Sequence, residues 1–290
     1  LALEVAESCG GDIVNADSLQ VYRDLRILTA RPSAQDEARV PHHGYGFLEA
    51  LDTFSAGTWQ RWAEATIQKL QPTQKPIFVV GGTGLYLKAL IQGLAKIPPV
   101  DPAIRLHLQQ RLHAEGIASL YHELQHKDAM IAHKLSSQDT QRILRALEIV
   151  EATGRPLSYW QAQPASRLPL QVKAVLLCPE RSRVIARAEA RVQQMMQQGA
   201  IEEIQALIQH HIPLKAPVFR ALGAQALYRY LHQEISLETA IALTQTVTRQ
   251  YIKRQYTWFR HQIQADYAFE EVEPATLVKT FRGIIQKEIA

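Results

Sequence analysis

Residues 76–84 read PIFVVGGTG, and this stretch decides the fold class. Ile77, Phe78, Val79 and Val80 form an unbroken apolar run between Pro76 and a glycine pair. A short run without polar alternation predicts a strand buried on both faces, the pattern of a parallel sheet covered by helices. Gly81-Gly82-Thr83-Gly84 then turns the chain into a helix expected from about Leu85 to Ile91. Glycine at such a turn lets the backbone approach a ligand, and a helix N-terminus favours an anion. The turn alone is weak evidence of a site, because many strand-to-helix connections carry glycine.

Upstream, the same alternation repeats. LALEVAES at 1–8 is helical by composition and stops before Gly10-Gly11. DIVNAD at 12–17 has a short apolar centre and ends in polar residues. That fits a buried strand whose C-terminal end opens on a cleft. Asp17, at that end, suits a general base or a magnesium ligand, and equally a turn or N-cap aspartate. Residues 55–70 predict an amphipathic helix, and Pro72 and Pro76 bracket the loop after it. Helices alternating with apolar strands predict an α/β core.

Downstream, Pro98-Pro99 and Asp101-Pro102 mark a boundary. From 101 to 165 every periodic segment reads as helix, with candidates at 102–115, 117–126 and 138–153. The strand pattern returns at 171–177 (QVKAVLL), and the last third predicts helices over 181–211, 221–231 and 236–262. The expected organisation is therefore an α/β core built from residues 1–100 and 166–290, with a helical C-terminal part. An all-helical insertion at 101–165 interrupts it.

Composition narrows the function classes. Hydrophobic residues at 47% and charged residues at 21% are ordinary for a water-soluble domain. No apolar run approaches the roughly 20 residues a membrane span needs, and LALEVAESCGG lacks the basic leader of an export signal. Cys9 and Cys178, the only two cysteines, predict reduced thiols and a cytoplasmic location. The adjacent pairs His42-His43 and His210-His211 chelate poorly from a helix, where neighbours point about 100° apart, so no metal–histidine site is expected. A net charge of +4 permits a polyanionic partner without requiring one.

Charge distribution is more telling. RQYIKRQYTWFRH at 249–261 carries Arg249, Lys253, Arg254 and Arg260 and no acid. Arg249, Lys253, Tyr256 and Arg260 recur at i, i+4, i+7 and i+11. This basic stripe with an interleaved tyrosine, on a helix anchored by Trp258 and Phe259, suits a nucleic-acid backbone or an ordinary solvated face. In helix 138–153, Asp139 is the expected N-cap. Gln141, Arg145, Glu148 and Ala152 share one face, with Ile143, Leu147 and Val150 on another. Gln141 and Arg145 thus project together, again as a solvated face or as a contact to phosphate or base.

Taken together, several stretches resemble the tRNA dimethylallyltransferase family. They are IVNADSLQVYRDLRILTARP at 13–32, VVGGTGLYLKALIQGL at 79–94, DPAIR at 101–105, DTQRILRALEI at 139–149 and RQYIKRQYTWFR at 249–260. They occur in family order and cover nearly the whole chain. The resemblance implies a P-loop-NTPase-like parallel sheet, an inserted helical domain and a channel between them. In that channel an adenine flipped out of the anticodon loop meets dimethylallyl diphosphate; flipping is needed because a stacked adenine hides its amine. It further implies the anticodon stem-loop of tRNA and dimethylallyl diphosphate as partners, Mg2+ as cofactor, and action as a cytoplasmic monomer without membrane attachment.

Residue by residue, the resemblance assigns Asp17 as general base and Thr83 to the diphosphate and reaction centre. It assigns Arg220, before Ala221-Leu222-Gly223, to neutralising the diphosphate. Asp17, Ser18, Leu19 and Gln20, Arg105, and Gln141, Arg142, Ile143, Leu144 and Arg145 match tRNA-contacting segments. Arg249, Lys253 and Arg260 join them through the basic stripe. No residue of this sequence is expected as a metal ligand.

The departures are specific. The family's first strand and GPTxSGK(S/T) phosphate loop fall before Leu1, so that loop's lysine, hydroxyl and amide cradle are expected outside this sequence. The family's GYR(Q/E) reads Gly223-Ala224-Gln225, and its TAKP reads Thr29-Ala30-Arg31-Pro32. Two other readings compete: a non-catalytic tRNA-binding fragment, and an enzyme that prenylates a free adenine nucleotide. The helical insertion and basic terminal helix argue against the second, because a small substrate needs neither.

Overall fold

The chain opens with α1 (Ala2–Cys9) and enters the fully buried strand β1 (Asp12–Asn15). α2 (Ala34–Arg39) is closed at its start by a Ser33/Asp36 capping box, in which each side chain accepts from the other residue's amide. β2 (His42–His43), α3 (Ala56–Leu70), β3 (Ile77–Val80) and α4 (Gly84–Gln92) follow. β1 lies between β2 and β3, parallel to both, with Ile13 opposite His42 and Phe78. Its central place explains why all four of its residues are buried while those of β3 are only partly so. These elements are given by a computed structural model describing residues 1–165, 167–270 and 274–289.

Two units are distinguishable, residues 1–91 with 169–290, and residues 92–168. The second unit is helical. It contains α5 (Pro102–Lys127), α6 (Ala129–Ala132), α7 (Thr140–Thr153) and α8 (Leu157–Ala162). Two helices were expected at 102–115 and 117–126; they meet at Gly116, whose φ of 79° breaks the helical path between them. The core of this unit joins Leu108, Leu120 and Leu124 to Ile143, Ala146 and Leu147. Residue 166, where the second part of the core was expected to begin, lies outside the described residues.

The first unit resumes at β4 (Val175–Leu177), which pairs in parallel with β5 (Tyr267–Phe269). The strand expected at 171–177 is thus confined to its last three residues. The single helix expected over 181–211 is two, α9 (Arg181–Gln198) and α10 (Ala200–Gln209), because Gly199 takes a φ of 112°. α11 (Ala224–Leu231), α12 (Leu237–Gln262) and α13 (Pro274–Ile289) complete the fold. α12 packs on α9 and α11, and its buried residues Ala240, Thr244, Thr248 and Ile252 follow every fourth position. The architecture is α/β with a small parallel sheet. No helix among the described residues is long and apolar enough to cross a membrane.

Candidate active site

The end of β1 is fixed by side chains that replace ladder hydrogen bonds. Asn15, fully buried, accepts from the Asp17 amide at 2.8 Å and donates to the carbonyls of Asp17 (3.0 Å) and Gly44 (2.9 Å). Its own carbonyl accepts the Trp59 indole N–H at 2.9 Å. Trp59 is fully buried and stacks on Tyr86 with ring centroids 4.6 Å apart, so this anchor is both satisfied and packed. The backbone therefore leaves the strand on a rigid base, and Asp17 is the first carboxylate past it.

Asp17 accepts the amides of Leu19 (2.8 Å) and Gln20 (3.3 Å) through Oδ1. The turn-aspartate reading is thus realised, but by one oxygen. Among the described residues Oδ2 has no hydrogen bond and Asp17 no ion pair. Burial pushes its carboxyl above the ordinary carboxylate value, against the pull of the two amides. A carboxylate made more basic by desolvation, with one oxygen free, is chemically suited to accept a proton.

Thr83 stands at the head of α4, where its carbonyl accepts the Tyr86 amide at 2.9 Å, and its side chain turns to the segment after β1. Its hydroxyl accepts the Ser18 amide at 2.9 Å and donates to Ser18 Oγ at 3.2 Å, tying the turn after β3 to the segment after β1. The glycines of the turn also have a packing cause. A Cβ at Gly81 would come within 2.2 Å of the Ala16 backbone, and at Gly82 within 2.3 Å of Gln255 Nε2. At Gly84 it would meet the Trp258 ring at 2.2 Å. Gln255 donates to the Gly82 carbonyl at 2.9 Å. One turn upstream on α12, burial first and the charge of Asp17 second push the Tyr251 phenol up. α12 is thereby seated on the glycine turn.

Asp17, Gln20, Thr29, Tyr251 and Gln255 line a cavity of about 430 Å³ that also holds Arg187 and Arg191. Both arginines are exposed on α9, and neither forms an ion pair among the described residues. Sequence reading missed them. The signal was present, because Arg183, Arg187 and Arg191 recur every fourth residue, the same periodicity noticed in α12. Arg220, the arginine expected at the diphosphate, is exposed at the end of a 3-10 turn, Pro217–Arg220, and does not line this cavity. Leu19 packs on the hydrophobic core, and the Gln20 amide is engaged by the carbonyls of Thr29 and Ala30, both at 3.0 Å. That engagement holds the 29–30 loop at the cavity wall.

In the helical unit, Gln141 and Arg142 are exposed and Leu144 is partly buried. Ile143, expected in a tRNA-contacting segment, has its side chain fully buried in that unit's core. It faces inward because it lies on the apolar line with Leu147, so its side chain is not available to a partner. Glu148, read as part of a solvated face, is buried at 3% exposure and paired with Arg105 and Arg145. On α12, Arg249 is not free: Glu189 of α9 accepts from it at 2.6 Å. Tyr256 turns its hydroxyl to the Pro179 carbonyl at 2.5 Å, so it is a packing residue rather than an open stacking platform. Lys253 and Arg260 are exposed.

One histidine pair escaped the expectation of no metal–histidine site. His122-Glu123-Leu124-Gln125-His126 has the HExxH spacing, and the two Nε2 atoms stand 3.4 Å apart on α5. Glu123, which would have to serve as base, is instead paired with Arg111 at 2.8 Å and Lys127 at 2.5 Å. No group of three or more His, Cys, Asp or Glu able to hold a metal ion occurs among the described residues.

Known proteins resemble this chain both in sequence and in fold. A family model described as IPP transferase matches residues 20–262. A tRNA dimethylallyltransferase of Nitrobacter hamburgensis is 46% identical over 266 residues, 91% of this chain and 84% of the relative. One from Rhodopseudomonas palustris is 46% identical over 277 residues, 94% of this chain and 86% of the relative. Among solved structures, the tRNA isopentenylpyrophosphate transferase of Bacillus halodurans superimposes with a TM-score of 0.70 at 28% identity, covering 99% of this chain and 90% of that one. A eukaryotic dimethylallyltransferase acting on tRNA gives 0.77 at 25% identity, covering 98% of this chain and 74% of that one. Matched along most of its length in sequence and in fold, the chain belongs to the IPP transferase family, that of the tRNA dimethylallyltransferases.

Proposed function

We propose that the protein transfers a dimethylallyl group from dimethylallyl diphosphate to the exocyclic amine of an adenine beside the tRNA anticodon, releasing diphosphate. The observation that carries this reading is the meeting, in one cavity, of a partly buried carboxylate and two arginines that form no ion pair among the described residues. The exocyclic amine is a weak nucleophile because its lone pair is delocalised into the ring. As its nitrogen bonds to the allylic carbon, the carbon–oxygen bond to diphosphate breaks and the amine proton passes to Asp17 Oδ2. Negative charge grows on the departing diphosphate, and Arg187 and Arg191 stabilise it more in the transition state than in the ground state. In this reading they take the role first assigned to Arg220. Thr83 acts through the Ser18 amide, holding the 17–20 segment and with it Asp17. The similarity to transferases along most of the chain disfavours a non-catalytic fragment and a free-nucleotide enzyme.

Arg105, Gln141, Arg142 and Arg145 on the helical unit, and Arg249, Lys253 and Arg260 on α12, are the proposed tRNA contacts, with Ser18 to Gln20 bordering the target base. The Mg2+ of this reaction is proposed to arrive bound to the diphosphate, and no step is assigned to it. Cys9 and Cys178 stand as free thiols, which fits a reducing cytoplasm. The cavity is lined by residues of a single copy, and the protein is proposed to act as a monomer. Mass spectrometry of an anticodon stem-loop incubated with the protein, dimethylallyl diphosphate and Mg2+ tests the reading. One added five-carbon unit on the adenine is expected; RNA that is bound but unmodified would overturn it.

A further inference from the structure

We propose that Glu148 is a positioning residue for tRNA, holding Arg105 and Arg145 side by side as a preformed phosphate clamp. The inference rests on the tRNA reading above. Arg105 comes from α5 and Arg145 from α7, and the Glu148 carboxylate joins them. Arg105 Nε donates to Oε1 at 2.6 Å and its Nη2 to Oε2 at 3.3 Å, while Arg145 Nη1 donates to Oε2 at 3.1 Å. The carboxylate is 3% exposed, whereas the two arginine side chains are 61% and 43% exposed. Its neighbours on α7, Ala146, Leu147 and Ile149, are fully buried, so the backbone beneath it is locked into the helical core.

The imbalance between the partners is informative. One anion holds two cations, so the cluster keeps a net positive charge. Three of the ten guanidinium N–H donors suffice for the contacts above, and the rest remain on exposed side chains. Two planar forks fixed next to each other are suited to phosphate oxygens, which arginine recognises through paired N–H donors. Fixing them beforehand removes the ordering cost that two long, flexible side chains would otherwise incur on binding.

The idea has a sign that simple electrostatics contradicts. Replacing Glu148 by Gln removes a negative charge from beside the proposed contacts, and Coulomb attraction alone would tighten RNA binding. Positioning predicts the opposite. Binding of an anticodon stem-loop by the Glu148→Gln protein should weaken about 5-fold or more, with helical content retained in circular dichroism. Equal or tighter binding overturns the proposal. If Glu148→Gln does not fold, the charge-conserving exchanges Arg105→Lys and Arg145→Lys decide, since both sites are exposed. A 5-fold or greater loss from the paired exchange, about that expected from losing the forks, supports the clamp, and affinity within about 2-fold of the unaltered protein overturns it. Failure of the unaltered protein to bind the stem-loop would overturn the tRNA reading itself and this inference with it.

Discussion

Two carboxylates sit at the two candidate working surfaces, Asp17 after β1 in the α/β unit and Glu148 on α7 in the helical unit. Asp17 is partly and Glu148 almost wholly shielded from solvent, and their partners differ in kind. Asp17 is held through one oxygen by two amides of its own chain. Glu148 is held through both oxygens by two arginines. Amide dipoles fix the position of a carboxylate while leaving desolvation the larger influence, so Asp17 becomes more basic. Guanidinium charges occupy the second carboxylate and turn it into a scaffold for cations. Burial alone does not tell a base from a strut; the class of donor around the carboxylate does.

The largest expected effect follows from that contrast. Asp17→Asn should slow single-turnover transfer by about 100-fold or more, the scale of a lost general base, with stem-loop affinity nearly unchanged. A rate within a few-fold of the unaltered protein would make Asp17 a strut like Glu148. Next, Arg191→Ala should lower kcat/KM for dimethylallyl diphosphate by about 10- to 100-fold. An unchanged value would dissociate the cavity from the diphosphate.

The third prediction sharpens the comparison through pH. Burial raises the Asp17 pKa above its ordinary 3.8, and the base works only when ionised. The rate should therefore fall, as pH is lowered, at a pH above the ordinary carboxylate value, and Asp17→Asn should abolish that acid limb. A limb lying at or below the ordinary value would show that the amides, not desolvation, dominate.

Smaller effects are expected where side chains position rather than react. Thr83→Ala leaves the Ser18 amide without its partner and should cost about 1–3 kcal/mol in thermal unfolding. Thr83→Ser, which keeps the hydroxyl, should be mild. The smallest effect is on salt dependence. Lys253→Ala should reduce the slope of log affinity against log salt by about one unit. Arg249→Ala should reduce it by less, because Glu189 already offsets that charge. Equal slopes for the two variants would mean that the ion pair opens when RNA binds.

Local patterns were readable from the sequence and long-range pairings were not. The apolar runs of β1 and β3, the Asp139 cap of α7 and the four-residue period of α12 are properties of neighbouring residues, and each appears in the structure near its expected bounds. Asp17 was legible because a carboxylate past a buried strand is a local signal. Glu148 was misplaced on a solvated face because its burial depends on Arg105, 43 residues away, which no helical wheel contains. The same limit put Arg249 on an open stripe, since Glu189 lies 60 residues upstream. Arg187 and Arg191 had a visible period but no visible target, because the cavity they line is assembled from residues 17–30, 184–191, 222 and 248–255.

The seat of α12 on the glycine turn has a consequence for how this region can change. Gly84 leaves a hole and Trp258 supplies the bump that fills it, since any Cβ at 84 would overlap the indole. The two positions, 174 residues apart, form one unit of substitution: a larger residue at 84 is tolerated only with a smaller one at 258. A glycine signature that passes for a ligand loop is thus also half of a matched joint, and an engineered pair with the bump moved across would give an orthogonal version of the same seat.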